Sequence, residues 1–228
     1  MGSPRSSTSS ELSVFFDESG ITLQCRTLSL VPLRYEHVGS LYDQFNDEEN
    51  VRLFKQTYLK SCSSREDLAR IILDYHIIRP HAITWTIIEY TTQRPIGWAV
   101  LRSSIHDAST AEVSIFLRRA RRSERGTECI HHINPLLFEH LGYRTHEFRA
   151  GTLKECTGPS GGQLGMSLIG VLSRQLKDVP RSKESDLYVL TKEQWPAVMA
   201  AVRALLDATK AGNSTRMPGL AGHYALLK

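Results

Sequence analysis

The segment from Ala111 to Gly142 constrains the fold of this chain more than any other. Residues 111–117 alternate between apolar and polar side chains, which predicts a strand. An arginine-rich loop follows, and then a predicted helix over residues 127–141, kinked at Pro135, and a strand over residues 144–151. A strand, loop, helix and strand in this order predict two parallel neighbouring strands that are joined by a crossover helix.

The loop of this unit is strongly basic and leads into the predicted helix start at Gly126. A loop whose backbone N–H groups lie at a helix N-terminus favours an anionic ligand such as a phosphate. An exposed basic patch or a nuclear-import-like cluster is the alternative. No aromatic residues interleave with the arginines, so we do not expect nucleic acid as a partner. The arginines are Arg118, Arg119, Arg121, Arg122 and Arg125.

The residues before this unit predict two helices and a strand hairpin. Apolar residues at helical spacing predict a helix over residues 36–46, and Ser63 with Glu66 or Ser64 with Asp67 offers a capping box for a second helix. A first strand is predicted at Leu28–Leu33. Residues 82–105 form two β-rich runs around a turn, which predicts an antiparallel hairpin.

The residues after the unit begin with a glycine-rich segment, Cys156–Gly165, in which no regular helix is expected before about Gly162. Strands are predicted over residues 168–176 and 186–191. Thr191 and Gln194 then form a capping box that opens a C-terminal helix. We expect one domain over residues 21–209, between a disordered Ser-rich arm (1–20) and a loose tail (210–228).

Composition excludes several classes of protein. The net charge of +4 does not by itself indicate a nucleic-acid-binding protein, and no apolar run approaches the roughly 20 residues of a membrane-spanning helix. The start of the chain lacks the apolar core of a secretory signal. The four cysteines lie far apart without a C-x-x-C pair, so we expect reduced thiols, a cytoplasmic location and no metal. The adjacent His131 and His132 are expected to face different sides of their helix.

Several short motifs, in their order, resemble one family. The chain resembles the GCN5-related N-acetyltransferases (GNAT), and within them the branch that acetylates ribosomal-protein N-termini and small amines. The resemblance covers roughly Leu28 to Trp195. It implies an α/β fold with a mixed, mostly antiparallel twisted sheet and helices on both faces. The motifs are Leu30-Val31-Pro32-Leu33 with Glu36-His37, Pro95-Ile96-Gly97-Trp98, the strand 111–117, and Asp186–Leu190 followed by Glu193-Gln194-Trp195.

The resemblance also implies an activity and a set of site residues. The implied enzyme is an acyl-CoA-dependent N-acetyltransferase that uses acetyl-CoA on a small amine or a peptide N-terminus; a homodimer is left open. Glu112 is the candidate general base, with an ion-paired or solvated strand glutamate as the alternative reading. Ser160 is the candidate general acid, beside Ser167 and Cys156. The candidate CoA-binding residues are Leu117, Arg118, Arg121, Arg122, Arg125, Gly126 and Thr127.

Two departures from the family's pattern leave a second function open. The family's phosphate loop reads Q/R-x-x-G-x-G/A, and here Arg121 and Gly126 keep their places while Glu124 replaces the first glycine. The helix that carries the family's thiolate-protonating residue is replaced by the glycine-rich segment that begins at Cys156. The alternative is therefore a protein of this fold that has lost acetyl-CoA chemistry and either binds a ligand or performs another reaction.

Overall fold

The computed structural model describes seven stretches of the chain. They are residues 20–46, 62–77, 82–104, 107–117, 122–151, 165–174 and 183–210. The predicted N-terminal arm, most of the segment Cys156–Gly165 and the predicted C-terminal tail lie outside the described residues. The chain forms two compact units, Met1–Val100 and Leu101–Lys228. The expectation of one domain over residues 21–209 stays a prediction.

The described residues contain eight strands of one mixed, mostly antiparallel sheet and four α-helices, which confirms the predicted α/β class. The boundary between the units falls inside β4. The strand order is β1-β2-β3-β4 in the first unit, where β4 runs to Val100, and β4-β5-β6-β8-β7 in the second, which contains the residues of β4 from Leu101 onward. The strands are β1 (Leu23–Gln24), β2 (Leu28–Pro32), β3 (Ile83–Glu89), β4 (Arg94–Ser103), β5 (Thr110–Leu117), β6 (Thr145–Gly151), β7 (Ser167–Arg174) and β8 (Lys183–Thr191). The helices are α1 (Tyr35–Phe45), α2 (Arg65–Ile77), α3 (Arg122–Pro135) and α4 (Trp195–Lys210). None of the described helices is both long enough and apolar enough to span a membrane.

The first unit follows the predicted pattern closely. Strand β2 pairs antiparallel with β3, from Leu28 opposite Glu89 to Pro32 opposite Trp85. Helix α2 begins one residue after Ser64, whose Oγ accepts a hydrogen bond from the N–H of Asp67 at 3.1 Å. The carboxylate of Asp67 in turn accepts hydrogen bonds from the N–H and O–H of Ser63. Ser64 therefore caps this helix as predicted, but the reciprocal bond of the box is made to Ser63 in place of the N–H of Ser64.

The second unit contains the predicted crossover. Strand β5 pairs parallel with β6, and α3 lies between them in the sequence, which confirms the topology expected of the segment from Ala111. Strand β8 then pairs antiparallel with both β6 and β7. Because β8 returns between β6 and β7, the parallel pair is enclosed on one side by antiparallel strands.

Helix α3 differs from its prediction at both ends. It begins at Arg122, five residues before the predicted start, and so includes Gly126. The propensity cost of one glycine, about 1 kcal/mol relative to alanine, is not enough to delay the helix. At the other end Pro135, which has no N–H to donate, is followed by a π-helical turn over Leu136–His140. The N–H of Leu141 bonds the carbonyl of Leu136 at 2.9 Å, and Gly142 with φ 76° ends the segment.

Helix α4 begins with the predicted capping box. The N–H of Thr191 donates to Oε1 of Gln194 at 3.2 Å, and the N–H of Gln194 donates to Oγ1 of Thr191 at 3.4 Å. Two backbone donors at the end of β8 are satisfied in this reciprocal way. Trp195 at the helix start is buried and packs its ring 6.0 Å from that of Phe138, next to α3.

A histidine lies in the apolar interior of the second unit. His146 on β6 pairs in register with Ala111 and Leu190 and is 0% exposed. Neither ring nitrogen has a hydrogen-bond partner among the described residues. Desolvation therefore favours the neutral ring and lowers the pKa of His146 from 6.5 to about 3.

This burial predicts that His146 makes the protein sensitive to acid. The unfolded chain binds a proton at this ring near pH 6.5, whereas the folded chain does not, so stability from this group falls as pH decreases below that value. From about pH 7.5 to about pH 5 the loss amounts to roughly 2 kcal/mol. Urea unfolding at the two pH values measures it.

His146→Leu keeps an apolar side chain at this position and removes the titration, so its stability should fall less between the two pH values. His140→Gln, at an exposed position of the same unit, is the control and should keep the full acid dependence. Equal acid dependence in wild type and His146→Leu would contradict the prediction.

Candidate functional site

The parallel pair β5–β6 opens before either strand ends. Its register comprises four residue pairs, from Thr110 opposite Thr145 to Val113 opposite Phe148. Both strands continue beyond the last pair, β5 to Leu117 and β6 to Gly151. Among the described residues no further pairing joins them. The two strands therefore separate beyond Val113 and Phe148 and leave an opening between them.

The two faces of the sheet at this opening differ in chemistry. Val113, His146 and Phe148 are buried on the apolar face. Glu112 is directly opposite Glu147 in the parallel register, so the two carboxylates lie on the other face. Arg149, two residues after Glu147, lies on that same face. The predicted separation of Glu112 from Val113 is therefore correct, although Glu112 is buried.

A charge cluster of four side chains forms on the polar face: Arg102 on β4, Glu112 on β5, and Glu147 and Arg149 on β6. Nη2 of Arg102 donates a short hydrogen bond to Oε1 of Glu112. Nη2 of Arg149 lies 3.8 Å from Oε2 of Glu112 and 3.8 Å from Oε2 of Glu147. The side chains of Arg102 and Glu112 are only 9% and 4% exposed. The carboxylate of Glu112 is thus mostly shielded from solvent, and its charge is balanced by the neighbouring arginines.

The two oxygens of Glu112 have different partners. Oε1 accepts from Arg102, while Oε2 accepts no hydrogen bond from any described residue. The ion-paired alternative for this glutamate is therefore what the contacts show. The pairing also fixes the carboxylate orientation and leaves one oxygen able to accept a proton or a water.

The N-terminus of α3 lies at the far end of β5. Its first-turn N–H groups, at Arg122, Ser123 and Glu124, lack partners within the helix and can bind an anion. Gly126 and Thr127 lie beyond this turn and are buried. Because the helix starts earlier than predicted, its first-turn N–H groups belong to Arg122, Ser123 and Glu124 and not to residues after Gly126.

The remaining candidate residues are placed unevenly. Leu117 is buried at the end of β5. Nη1 of Arg125 lies 3.7 Å from Oε2 of the buried Glu128, one turn along the helix. Arg118, Arg121 and Ser160 lie outside the described residues, and of Arg122 only the backbone is described. Their roles in binding CoA and in acid catalysis stay predictions.

The polar cluster was only partly visible in the sequence. Glu112 was singled out by its place in a strand, but Arg102, Glu147 and Arg149 were not. Their signal is a period of two on β6, which places Glu147 and Arg149 on one face, together with the predicted pairing of this strand with β5. The expectation that the adjacent histidines face different sides of their helix stays a prediction. The rings of His131 and His132 lie 5.3 Å apart at 86°, so they pack against each other.

The described residues contain no group of three histidine, cysteine or acidic side chains that could hold a metal ion. The histidine pair is instead shaped by burial. Desolvation, with the nearby His132 and Arg203, lowers the pKa of His131 to about 4. His131 also packs against Trp195 at the start of α4, with ring centroids 6.0 Å apart.

Comparison with known proteins identifies the class. Residues 27–155 match the family model of the acetyltransferase (GNAT) domain, and the chain belongs to this family of acetyltransferases. The match begins just before β2 and includes β5, α3 and β6, so it contains both the opening and the charge cluster. No curated protein matches the sequence.

Solved structures agree on the fold. A GCN5-related N-acetyltransferase from Brucella melitensis has a TM-score of 0.71 at 18% identity, with 83% of this chain and 86% of that chain covered. A spermidine N-acetyltransferase chimera from Vibrio cholerae and hSSAT gives 0.52 at 12%, with 75% and 99% covered. A proposed ribosomal-protein-serine acetyltransferase from Vibrio cholerae gives 0.51 at 15%, with 75% and 97% covered.

The buried pair Arg102–Glu112 predicts a large stability effect. Glu112→Gln leaves the Arg102 guanidinium buried without its counter-charge, which should lower the free energy of unfolding by about 3–5 kcal/mol. Replacing both partners by apolar residues, Arg102→Met with Glu112→Leu, should recover most of this loss. Urea unfolding of the three proteins measures both effects.

The exposed pair Arg65–Asp43, with Nη2 and Oδ1 3.1 Å apart, provides the control. Asp43→Asn should cost less than about 1 kcal/mol, because exposed pairs are well solvated when broken. A Glu112→Gln protein no less stable than Asp43→Asn would show that the buried pair is not formed.

Proposed function

We propose that this protein transfers an acetyl group from acetyl-CoA to the amine of a small molecule or of a peptide N-terminus. The observation that carries the proposal is the opening between β5 and β6, which has Glu112 on its polar face and the N-terminus of α3 at its far end. A thioester chain lying in this opening can bond backbone groups of the strand residues that no longer pair with each other across it. Membership of the GNAT family supports the same donor.

The phosphate end of the donor fits the start of α3. Free N–H groups of the first turn and the positive end of the helix dipole stabilise a pyrophosphate. We assign Arg118, Arg121, Arg122 and Arg125 to the same phosphates, with Leu117, Gly126 and Thr127 shaping the turn. Glu124 replaces a family glycine, and these arginines offset its charge.

The transfer needs few groups. The amine nitrogen attacks the thioester carbon, a C–N bond forms, and the C–S bond breaks after a tetrahedral intermediate. We propose that Oε2 of Glu112 accepts the amine proton, directly or through one water, while Arg102 holds Oε1 in place. Ser160 is the proposed donor of the proton that the departing thiolate takes up.

The acceptor is proposed at the level of its chemistry. Two fold relatives carry names that point to polyamine and to ribosomal-protein serine acceptors, respectively. Both acceptors present a primary amine, and we propose one of these two classes. We also propose a cytoplasmic location, supported by the wide spacing of the four cysteines without a C-x-x-C pair. A homodimer remains part of the proposal.

Binding of acetyl-CoA is the first test. A ligand that binds only the folded protein raises its stability by about 2.7 kcal/mol at a concentration of 100 times Kd. Calorimetric titration should give a dissociation constant, and desalted protein with acetyl-CoA and a panel of amines should release free thiol. Spermidine and peptides with an N-terminal serine belong in the panel.

Two results would contradict the proposal. If millimolar acetyl-CoA produces neither heat nor a thermal shift, the reading of a fold that has lost CoA chemistry replaces it. Binding without thiol release on any amine would leave a CoA-binding protein, and would also overturn acetyl transfer to these acceptor classes.

The role of Glu112 has its own test. Removal of a positioned general base lowers kcat by about 10²–10⁴-fold. Glu112→Gln should therefore lose turnover while its acetyl-CoA dissociation constant stays unchanged, measured at a temperature where the variant is folded. Glu147→Gln, on the neighbouring position of the same face, is the control. Equal losses in both variants would show that Glu112 acts only through the charge cluster.

A further inference from the structure

Arg149 is bound to its neighbours far more loosely than the other arginine of the charge cluster. Its side chain is 17% exposed, and its Nη2 is 3.8 Å from each of two carboxylate oxygens, beyond hydrogen-bonding range. Its Nε is buried and has no hydrogen-bond partner among the residues that the structure describes. Arg102, in contrast, donates a hydrogen bond to Glu112. Arg149 therefore holds its charge in a balanced environment while its hydrogen-bond donors remain unused by the described residues.

Unused donors on a mostly buried guanidinium are costly. A guanidinium has five N–H donors and no acceptor, and a buried polar group without a partner loses the hydration that it had in the unfolded chain. Structures keep such groups where a ligand or an ordered water completes them. The unused Nε therefore points to a missing oxygen acceptor.

The position of Arg149 places this acceptor. It is the first residue of β6 after Phe148, the last position that pairs with β5. Its side chain is on the polar face, beside the unbonded Oε2 of Glu112 at 3.8 Å. The donors are therefore at the start of the opening, next to the oxygen proposed to accept the amine proton.

The charge balance of the cluster indicates what kind of acceptor fits. The charges of two arginines and two glutamates sum to zero. The charge of an anionic ligand would therefore be uncompensated, whereas a neutral oxygen adds no charge. We propose that Arg149 donates a hydrogen bond to a neutral carbonyl oxygen of a ligand in the β5–β6 opening. This inference rests on the proposed function, which supplies two sources of such an oxygen: the acyl-CoA and a peptide acceptor.

A purely structural role makes a different prediction. If Arg149 only neutralises the two glutamates, a lysine would serve as well, because distances of 3.8 Å provide attraction between charges without directed bonds. If Arg149 binds a carbonyl, lysine should fail, since it lacks Nε and the planar arrangement of donors. The comparison of Arg149→Lys with Arg149→Met therefore separates the two roles.

The donor arm of the experiment uses two ligands. Acetyl-CoA and S-ethyl-CoA differ at the acyl carbonyl, which the thioether lacks. Loss of a charge-assisted hydrogen bond weakens binding by about ten- to a hundredfold. If Arg149 contacts the acyl carbonyl, Arg149→Met and Arg149→Lys weaken the binding of acetyl-CoA by this factor and leave the binding of S-ethyl-CoA unchanged. If it contacts an amide carbonyl of the pantetheine arm, the variants weaken the binding of both ligands.

The acceptor arm uses two amines. A peptide with an N-terminal serine has a carbonyl close to its amine, and spermidine has none. If Arg149 contacts the acceptor, both variants raise KM for the peptide by about ten- to a hundredfold, leave KM for spermidine unchanged, and bind acetyl-CoA like wild type. Arg144→Met, at an exposed position just before β6, is the matched control and should change none of these values.

A measurement on the wild-type protein guards against variants that fold poorly. The arginine Nε–H resonance of Arg149, assigned by its absence in Arg149→Lys, should shift when acetyl-CoA or the peptide is added. No shift with either ligand, or a Lys variant with wild-type affinities and KM, overturns the proposal. If wild-type protein does not bind acetyl-CoA, the proposed function fails and this inference fails with it, whereas normal binding with unaffected variants overturns Arg149 alone.

Discussion

The hydrogen bond between Arg102 and Glu112 organises the polar side of the second unit. Both side chains are mostly shielded from water, so removal of either one leaves the charge of the other buried without its partner. Their pairing holds the Glu112 carboxylate at the position where β5 and β6 still pair, one step before the opening. The proposed transfer of the amine proton uses the oxygen of Glu112 that this bond leaves available, beside the donors of Arg149.

The topology was predictable because its signals are local. The capping residues Ser64 and Thr191 mark the starts of α2 and α4 within a few residues. The parallel pairing of β5 with β6 follows from a strand, a helix and a strand in succession. The family motifs independently predict the same topology, and the family match over residues 27–155 supports them.

The errors and omissions arise from contacts that a local pattern does not contain. Gly126 suggests a helix start, yet α3 begins at Arg122. The helix propensity of the neighbouring residues outweighs the cost of one glycine. Glu112 could be placed on a face, but its partners are ten residues before it and 37 residues after it in the sequence. Only the pairing of three strands brings Arg102 and Arg149 to the same carboxylate. No local pattern marks His146 either, because an alternating strand does not reveal that both ring nitrogens lie without a hydrogen-bond partner among the described residues.

The low exposure of the charge cluster has a consequence for how the protein responds to ionic strength. Dissolved ions screen exposed charges at a Debye length of about 8 Å in physiological salt, but they hardly enter a site as dry as that of Arg102 and Glu112. The electrostatics around the reacting amine should therefore be nearly constant across salt concentrations. The phosphate contacts proposed for the arginine-rich start of α3 differ, because contacts of this kind exchange for mobile counterions. The salt concentration should therefore change the affinity for acetyl-CoA and leave the rate of acetyl transfer from the bound donor almost unchanged.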